Sequence, residues 1–265
     1  MKIYFVDSFT REKFKGNPAA VCFLEDELPD STMQDIAIEI GFSETAFVSK
    51  GNGDKYRIRF FTPKKEIPLC GHATLAASKI MFDQSDRQEI RFINCEDTEL
   101  HIGKADDKIV MQFPVYDTEE ISVPRTLLNA LGITEMENSR LSERNKIILI
   151  EIDNAEKLAS LRPDYMALLT SYTGINGVLV TSVSTDNVYD FHYRYFWPWA
   201  GTNEDPVTGG VQTFLTKYWA EKLGKTRLNC FQSSERTGYM TTEYRDDKVL
   251  IYGDAVIILE GEMNA

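Results

Sequence analysis

Three residues have the type and position that proton transfer asks for: Glu44, His72 and Asp205. Glu44 lies between Gly41, where a predicted helix ends, and the apolar run Thr45-Ala46-Phe47-Val48. A carboxyl held against apolar neighbours has a raised pKa and can give and take a proton near neutrality. His72 and Asp205 lie in two small-residue turns, Leu69-Cys70-Gly71-His72-Ala73-Thr74 and Glu204-Asp205-Pro206-Val207-Thr208-Gly209-Gly210, each followed by a helical pattern. Free N–H groups at a helix start, aided by the helix dipole, attract anions, and small residues let a ligand approach the backbone. Gly71, Ala73, Thr74, Thr208, Gly209 and Gly210 are therefore the candidate substrate contacts. Two such starts facing each other would hold a carboxylate or stabilise an enolate. Singly, each residue has a plainer reading: Glu44 as a turn residue, His72 as a core-edge histidine, Asp205 as a cap.

The elements that must position these residues occur twice. In the first half, residues 4–6 and 20–24 read as strands, and Asp30 or Ser31 caps a helix over 32–40 that Gly41 stops. Strands follow at 45–49 and 56–61, a helix runs from Gly71 to Phe82, and strands return at 90–93, 99–102 and 109–113. In the second half, the run 191–198 matches 56–63, with Arg194 standing 135 positions after Arg59. Met166, Gly174 and a strand at 178–181 match Met33, Gly41 and the strand after it. Asp205-Pro206-Val207-Thr208, opening a helix over 208–223, matches Gly71-His72-Ala73-Thr74, 134 positions on. Asp247-Lys248-Val249-Leu250-Ile251 matches the run from Asp107 to Met111.

Four blocks in one order at nearly one offset mark a duplicated unit. The expected lobes are 1–115, with the C-terminal strand available to complete it, and 116–265. The join falls in the acid-, Thr- and Ser-rich stretch 114–124, before a helix from Pro124 to Leu131 that Gly132 stops. The copies differ where chemistry is expected. Glu44 stands opposite Gly177, and neither His72 nor Asp205 has a like-type counterpart.

Charge narrows the partners. The 29 Lys+Arg against 41 Asp+Glu leave the 265-residue chain at −12, which repels nucleic-acid phosphates and anionic membrane surfaces. A small anionic metabolite is still compatible, because a local pocket can oppose the global field. Cys22, Cys70, Cys95 and Cys230 form no CxxC pair and read as reduced thiols of a cytoplasmic protein. His72, His101 and His192 lack HExxH spacing, so no metal is expected; without GxGxxG or GxxxxGK[ST], no nucleotide cofactor is either. The N-terminal stretch meets Asp7 before an apolar segment develops, so neither a signal peptide nor a membrane span is expected.

The chain resembles the phenazine-biosynthesis PhzF-like isomerase family, which has the diaminopimelate-epimerase-like fold, and most of all its animal phenazine-biosynthesis-like domain-containing members. The matching residues are Gly16-Asn17-Pro18-Ala19-Ala20-Val21, Ser43-Glu44-Thr45-Ala46-Phe47, Phe60-Phe61-Thr62-Pro63, the run from Glu66 to Ala76, and Glu204-Asp205-Pro206-Val207-Thr208-Gly209. They span almost the whole chain, through Gln232 and Arg236 to Gly261. The resemblance implies an α+β fold of two pseudo-symmetric lobes, each a β-barrel-like sheet around a central helix, with the active site in the cleft between them. It also implies cofactor-free isomerisation by proton transfer. Glu44 would be the acid/base, His72 and Asp205 supporting polar groups, and the Gly209 and Gly210 amides the substrate-carboxylate site. A homodimer is implied as well.

The family pattern is also broken in places. Gly210 stands where the family usually has Ser, Gln212 where it has His, Thr237 in an Arg-Gly-Gly run, and Trp197 where Ala is common. These changes motivate an alternative: a non-catalytic metabolite-binding or protein-interaction member of the same fold. A two-thiol racemase is a further variant, but beyond Cys70 it would need a second thiol at the other helix start.

Overall fold

The computed structural model describes residues 1–264. The chain forms two compact units, Met1–Gln112 joined by the segment from Leu250 onward, and Phe113–Val249.

In the first unit, strand Lys2–Ser8 pairs antiparallel with Asn17–Leu24 on one side and with Ala255–Glu262 on the other. Asn17–Leu24 pairs parallel with Thr45–Lys50, which runs antiparallel to Tyr56–Phe61. That strand pairs with the short return Glu66–Ile67 and, in parallel, with Glu89–Ile93. The runs Ala19–Cys22 and Ala46–Val48 alternate poorly because both faces of these strands are covered. Helix Asp30–Ile40 covers one face, burying Met33, Ile36 and Ala37 against Ile3, Cys22, Phe47 and Phe61. It starts two residues earlier than expected, and neither Asp30 nor Ser31 caps it. Pro29 precedes it without a side-chain cap, and the Asp30 carboxylate accepts from the Arg59 guanidinium instead, at 2.7 Å. Gly41 stops it in the left-handed conformation, φ 72°, as expected.

Helix Gly71–Asp83 lies against strands Lys2–Ser8, Asn17–Leu24, Thr45–Lys50 and Ala255–Glu262. Ten of its thirteen residues are buried. A helix covered nearly all round must be apolar or small on every face, and Ala73, Ala76 and Ala77 let the strands come close.

The second unit repeats this order. Asn138–Ser142 pairs antiparallel with Ile147–Glu151, which runs parallel to Gly177–Val183. That strand runs antiparallel to Phe191–Trp197, which pairs antiparallel with Thr202–Asp205 and parallel with Arg227–Gln232. Helices Arg125–Leu131, Ala155–Ser160 and Tyr165–Ser171 cover one face over Ile148, Ile150, Val178, Val180 and Phe196. The central helix is Gln212–Leu223, whose fully buried Trp219 stacks on Phe191 with centroids 5.5 Å apart.

The strand ladders define the repeat residue by residue and correct part of the alignment. Thr45 faces Phe61 and Val178 faces Phe196, so Glu44 and Gly177 are equivalent, as the sequence indicates. Beyond that point the offset changes. Phe61 faces Glu66 while Phe196 faces Glu204, and Tyr56 pairs with Phe92 while Phe191 pairs with Cys230. Both flanks of the central helix thus stand 138 positions apart, not 134. Carried through the turn, this matches Cys70 with Thr208, Gly71 with Gly209 and His72 with Gly210, while Asp205 matches Ile67. Asp205 is accordingly the last residue of a strand rather than a helix start, and its helix opens at Gln212 rather than at 208.

One ion pair is duplicated with the strands. Arg59 holds Glu66 through two hydrogen bonds of 2.7 Å, and Arg194 holds Glu204 through two of 2.7 Å. Each guanidinium also lies over the phenylalanine two residues on, at 5.2 Å from Phe61 and 4.8 Å from Phe196. Among the described residues, no helix is long and apolar enough to cross a membrane.

Candidate active site

Glu44 enters its strand with its backbone carbonyl accepting from the Ala20 N–H at 3.4 Å. Glu44 is 6% exposed and places Oε2 3.1 Å from Nε2 of His72, itself 7% exposed. Cys70 Sγ lies 3.4 Å from the other ring nitrogen, Nδ1. Hydroxyls lock the helix start that carries this ring. Ser8 Oγ donates to the His72 carbonyl and Thr74 Oγ1 to the Cys70 carbonyl, both at 2.7 Å. Beside Glu44, Thr45 Oγ1 is enclosed and has no hydrogen-bond partner among the described residues. An orphaned hydroxyl next to a buried carboxylate is the kind of exception that marks functional sites.

The protonation state differs from the one apolar neighbours imply. Burial pushes the Glu44 carboxyl up, but the His72 charge and hydrogen bond outweigh it and hold the group below the usual carboxylate value. Burial works against a charged His72, yet Cys70 and Glu44 raise its pKa well above the ordinary histidine value. Burial, the largest influence on Cys70, raises its pKa. The resting pair is therefore carboxylate and imidazolium, not the neutral acid that apolar burial alone would make.

Among the described residues, Glu44, Cys70 and His72 are the one set of His, Cys and acid groups whose ligand atoms lie within 4.8 Å of each other. The contacts that gather them are their own: the ring nitrogens a cation would need already face Glu44 and Cys70.

The second unit builds a different turn. The Asp205 carboxylate accepts from Thr208 Oγ1. Gln232, fully buried, clamps both ends of the turn: Nε2 donates to the Asp205 carbonyl at 2.5 Å, and Oε1 accepts the Thr208 N–H at 2.7 Å. The Tyr193 hydroxyl donates to the Thr208 carbonyl at 3.2 Å. The Gly209 and Gly210 amides donate to no group among the described residues, while their carbonyls accept from Gln212 and Thr213. A Cβ on Gly210 would meet nothing within 4 Å, so space does not explain the missing serine. Gln212 is a core residue: it accepts from Thr216 Oγ1 at 2.9 Å and faces Cys230. Trp197 packs beside Tyr195 with ring centroids 5.8 Å apart, its indole N–H enclosed and without a partner among the described residues.

Glu44, His72 and the helix start Gly71–Thr74 thus form one cluster in the first unit, and Asp205, Thr208, Gly209 and Gly210 one turn in the second. With Thr208 in the place of Cys70, the second turn offers no partner thiol for a two-thiol racemase. Ser8, Thr45 and Gln232 escaped the residue-level reading. Nothing local marks them, because their roles come from strands distant in sequence.

The family model for phenazine biosynthesis-like proteins, PhzC-PhzF, matches residues 6–261. An uncharacterized isomerase of Pseudomonas aeruginosa is 40% identical over 100% of this chain and 99% of its own. The mouse phenazine biosynthesis-like domain-containing protein 2 is 38% identical, over 100% of this chain and 99% of its own. A crystal structure of a PhzF-family phenazine biosynthesis protein from Enterococcus faecalis superposes with a TM-score of 0.93 at 36% identity, covering 100% of this chain and 99% of that one. The mixed α+β, two-lobe architecture is thus the epimerase-like one that the sequence resemblance implied. With its repeated ladders and its conserved length of match, the chain belongs to the phenazine biosynthesis-like PhzF family.

Proposed function

We propose that the protein is a cofactor-independent isomerase that moves a proton along a small carboxylate-bearing metabolite, with Glu44 as the acid/base. The observation that carries this reading is the buried Glu44–His72 pair at 3.1 Å. Membership of a family with isomerase-named relatives supports the reaction class.

In this reading the Glu44 carboxylate takes a proton from a substrate carbon and returns it to another, so one proton leaves and one comes back. The buried wall keeps that proton from bulk water between the two steps. Negative charge then develops on the substrate oxygens. The unpaired amides of Gly209 and Gly210 and the helix start at Gly71 are suited to meet it, since donors fixed in advance need no reorganisation. His72 stays protonated beside Glu44, and Asp205 holds the Gly209–Gly210 turn through Thr208.

Identifying the acid that co-purifies with the protein, then following solvent deuterium into it, tests the reading. Glu44→Gln should lower incorporation by at least about 10²-fold, the usual scale for a general acid/base, with an unchanged fold. Undiminished incorporation overturns the role of Glu44. An acid that binds but never exchanges makes the protein a binder rather than an enzyme.

A further inference from the structure

The two copies of the repeat also differ on the sheet face opposite Glu44. Side chains alternate along a strand, so Phe47 and Ser49 point away from the face that carries Glu44 and Ala46. Phe47 pairs with Arg59 on one side and Cys22 on the other, as Val180 pairs with Arg194 and Ile150. From Cys22 and from Ile150 the chain runs to a Pro-Asp pair at the start of the next helix, Pro29-Asp30 and Pro163-Asp164. The second copy takes six more residues on the way, and its connection forms helix Ala155–Ser160, packed on strands Gly177–Val183 and Phe191–Trp197. Leu158 of that helix is fully buried. The carbonyls of Leu158, Ala159 and Leu161 accept from Arg194 Nη1 at 3.3, 3.4 and 2.8 Å.

In the first copy residues 25–28 form no helix, and the equivalent place is open. A cavity of about 370 Å³ there is lined by Leu24, Leu28, Met33, Phe47, Arg57 and Arg59. The Arg59 side chain is 24% exposed, against 6% for Arg194. Its Nη1, the atom that matches the carbonyl-bound one, donates to Asp30, whose side chain is 81% exposed. A guanidinium N–H bonded to an exposed carboxylate changes partner at little cost, because such pairs contribute little. The apolar floor suits an aliphatic side chain and the arginine wall suits an acceptor. Glu27, Asp30 and Glu66 also line the cavity and outnumber its two arginines, which disfavours a carboxylate ligand and favours neutral carbonyls. The last turn of a helix offers such carbonyls without intrahelical partners.

We propose that this cavity is a peptide-docking site for the C-terminal turn of a leucine-bearing helix from a partner protein, with the leucine on Met33 and Phe47 and the last carbonyls on Arg59. The second copy supplies the template, since it seats a turn of its own chain at the matching place. The site lies wholly in the first unit, on the face opposite Glu44, and does not depend on the reaction that Glu44 performs.

The probe is the net-neutral segment 153–162 of this chain, made as an acetylated and amidated peptide and titrated by calorimetry into the intact protein. Saturable binding is expected, and Leu158→Ala in the peptide should weaken it about ten-fold or more, the scale of one buried leucine. Asp30→Ala frees Arg59 Nη1 and should tighten binding about two- to five-fold. Cys95 also lines the cavity and is the exposed one of the four cysteines. Treatment with a bulky maleimide should therefore abolish binding to the parent but not to Cys95→Ser. No saturable binding, equal affinities of the two peptides, or binding that survives the maleimide on Cys95 overturns the proposal. An affinity that Asp30→Ala leaves unchanged or lowers overturns the part assigned to Arg59.

Discussion

The two copies of the repeat share a scaffold and differ in the groups it carries. Both build parallel–antiparallel ladders around a buried helix, and both clamp a returning strand with an Arg–Glu pair. At the turn that opens the helix they part. The first copy places Cys70, Gly71 and His72 there, so that Cys70 and His72 cluster with Glu44; the second places Thr208, Gly209 and Gly210 there, and no such cluster of His, Cys and acid groups forms among its described residues. In the second copy the acid moves across the sheet to Asp205, and its neighbours are neutral donors. Duplication supplies a frame in which, in the proposed reaction, one half moves a proton while the other meets the charge left behind.

The largest effect expected from breaking this comparison lies in the shared ion pair. Arg194 is buried and Glu204 nearly so, whereas Arg59 and Glu66 are half-buried and Arg59 has Asp30 as a second partner. Glu204→Ala should therefore destabilise the protein by about 3 kcal/mol, since it strands a buried guanidinium. Glu66→Ala should cost about 0.5–1 kcal/mol, the range of solvent-screened pairs. Urea denaturation of the two variants decides; equal losses would show that burial does not separate the copies.

A smaller effect, confined to the first copy, comes from pH. Glu44 titrates below its unfolded value, so its contribution is full above about pH 4.3 and is lost as pH falls through the folded pKa. His72 titrates above its unfolded value, so its contribution is full below about pH 6.5 and is lost as pH rises through the folded pKa. The stability difference between parent and His72→Gln should thus be greatest between about pH 4.3 and 6.5 and shrink on both sides. A difference that grows above pH 6.5 contradicts a charged His72. Thr208 and Gly210, at the matching positions, should show no such profile when substituted.

The smallest expected effect sharpens the comparison at a hairpin. The left-handed turn residue of the first copy is Asp97, φ 56°; its counterpart, 140 positions on, is Thr237, φ 57°. Aspartate tolerates that conformation, and a β-branched residue resists it. Thr237→Gly should stabilise the protein by about 1 kcal/mol, while Asp97→Gly should change little. Melting temperatures of the pair are the measure. The same strain explains why the family pattern favours glycine where this chain has Thr237.

Much of this organisation was legible before the fold. Helix stops at Gly41 and Gly132, the strands flanking them and the pairing of Glu44 with Gly177 follow from local turn chemistry and hydrophobic period, which act over a few residues. The helix start near Asp205 was not legible. Both copies carry a small-residue turn, but the hairpin before the second, from Phe196 to Glu204, is three residues longer than that from Phe61 to Glu66, and only the strand ladders show where the extra residues go. The same holds for Asp30, which reads as a cap and serves as a partner of Arg59 from another strand.

The sequence alone determined the duplication and the family resemblance and singled out Glu44 as the proposed acid/base, because these rest on residue types and spacing along the chain. Tertiary structure alone decided the charge state of that acid. A carboxyl among apolar neighbours and a carboxylate paired with an imidazolium have the same local sequence, and Glu44 becomes the second only because His72, 28 positions away, is brought to 3.1 Å. The Gln232 clamp and the hydrogen bond from Ser8 to the His72 carbonyl are of the same kind. Each is an interaction between segments that meet only when the sheets close.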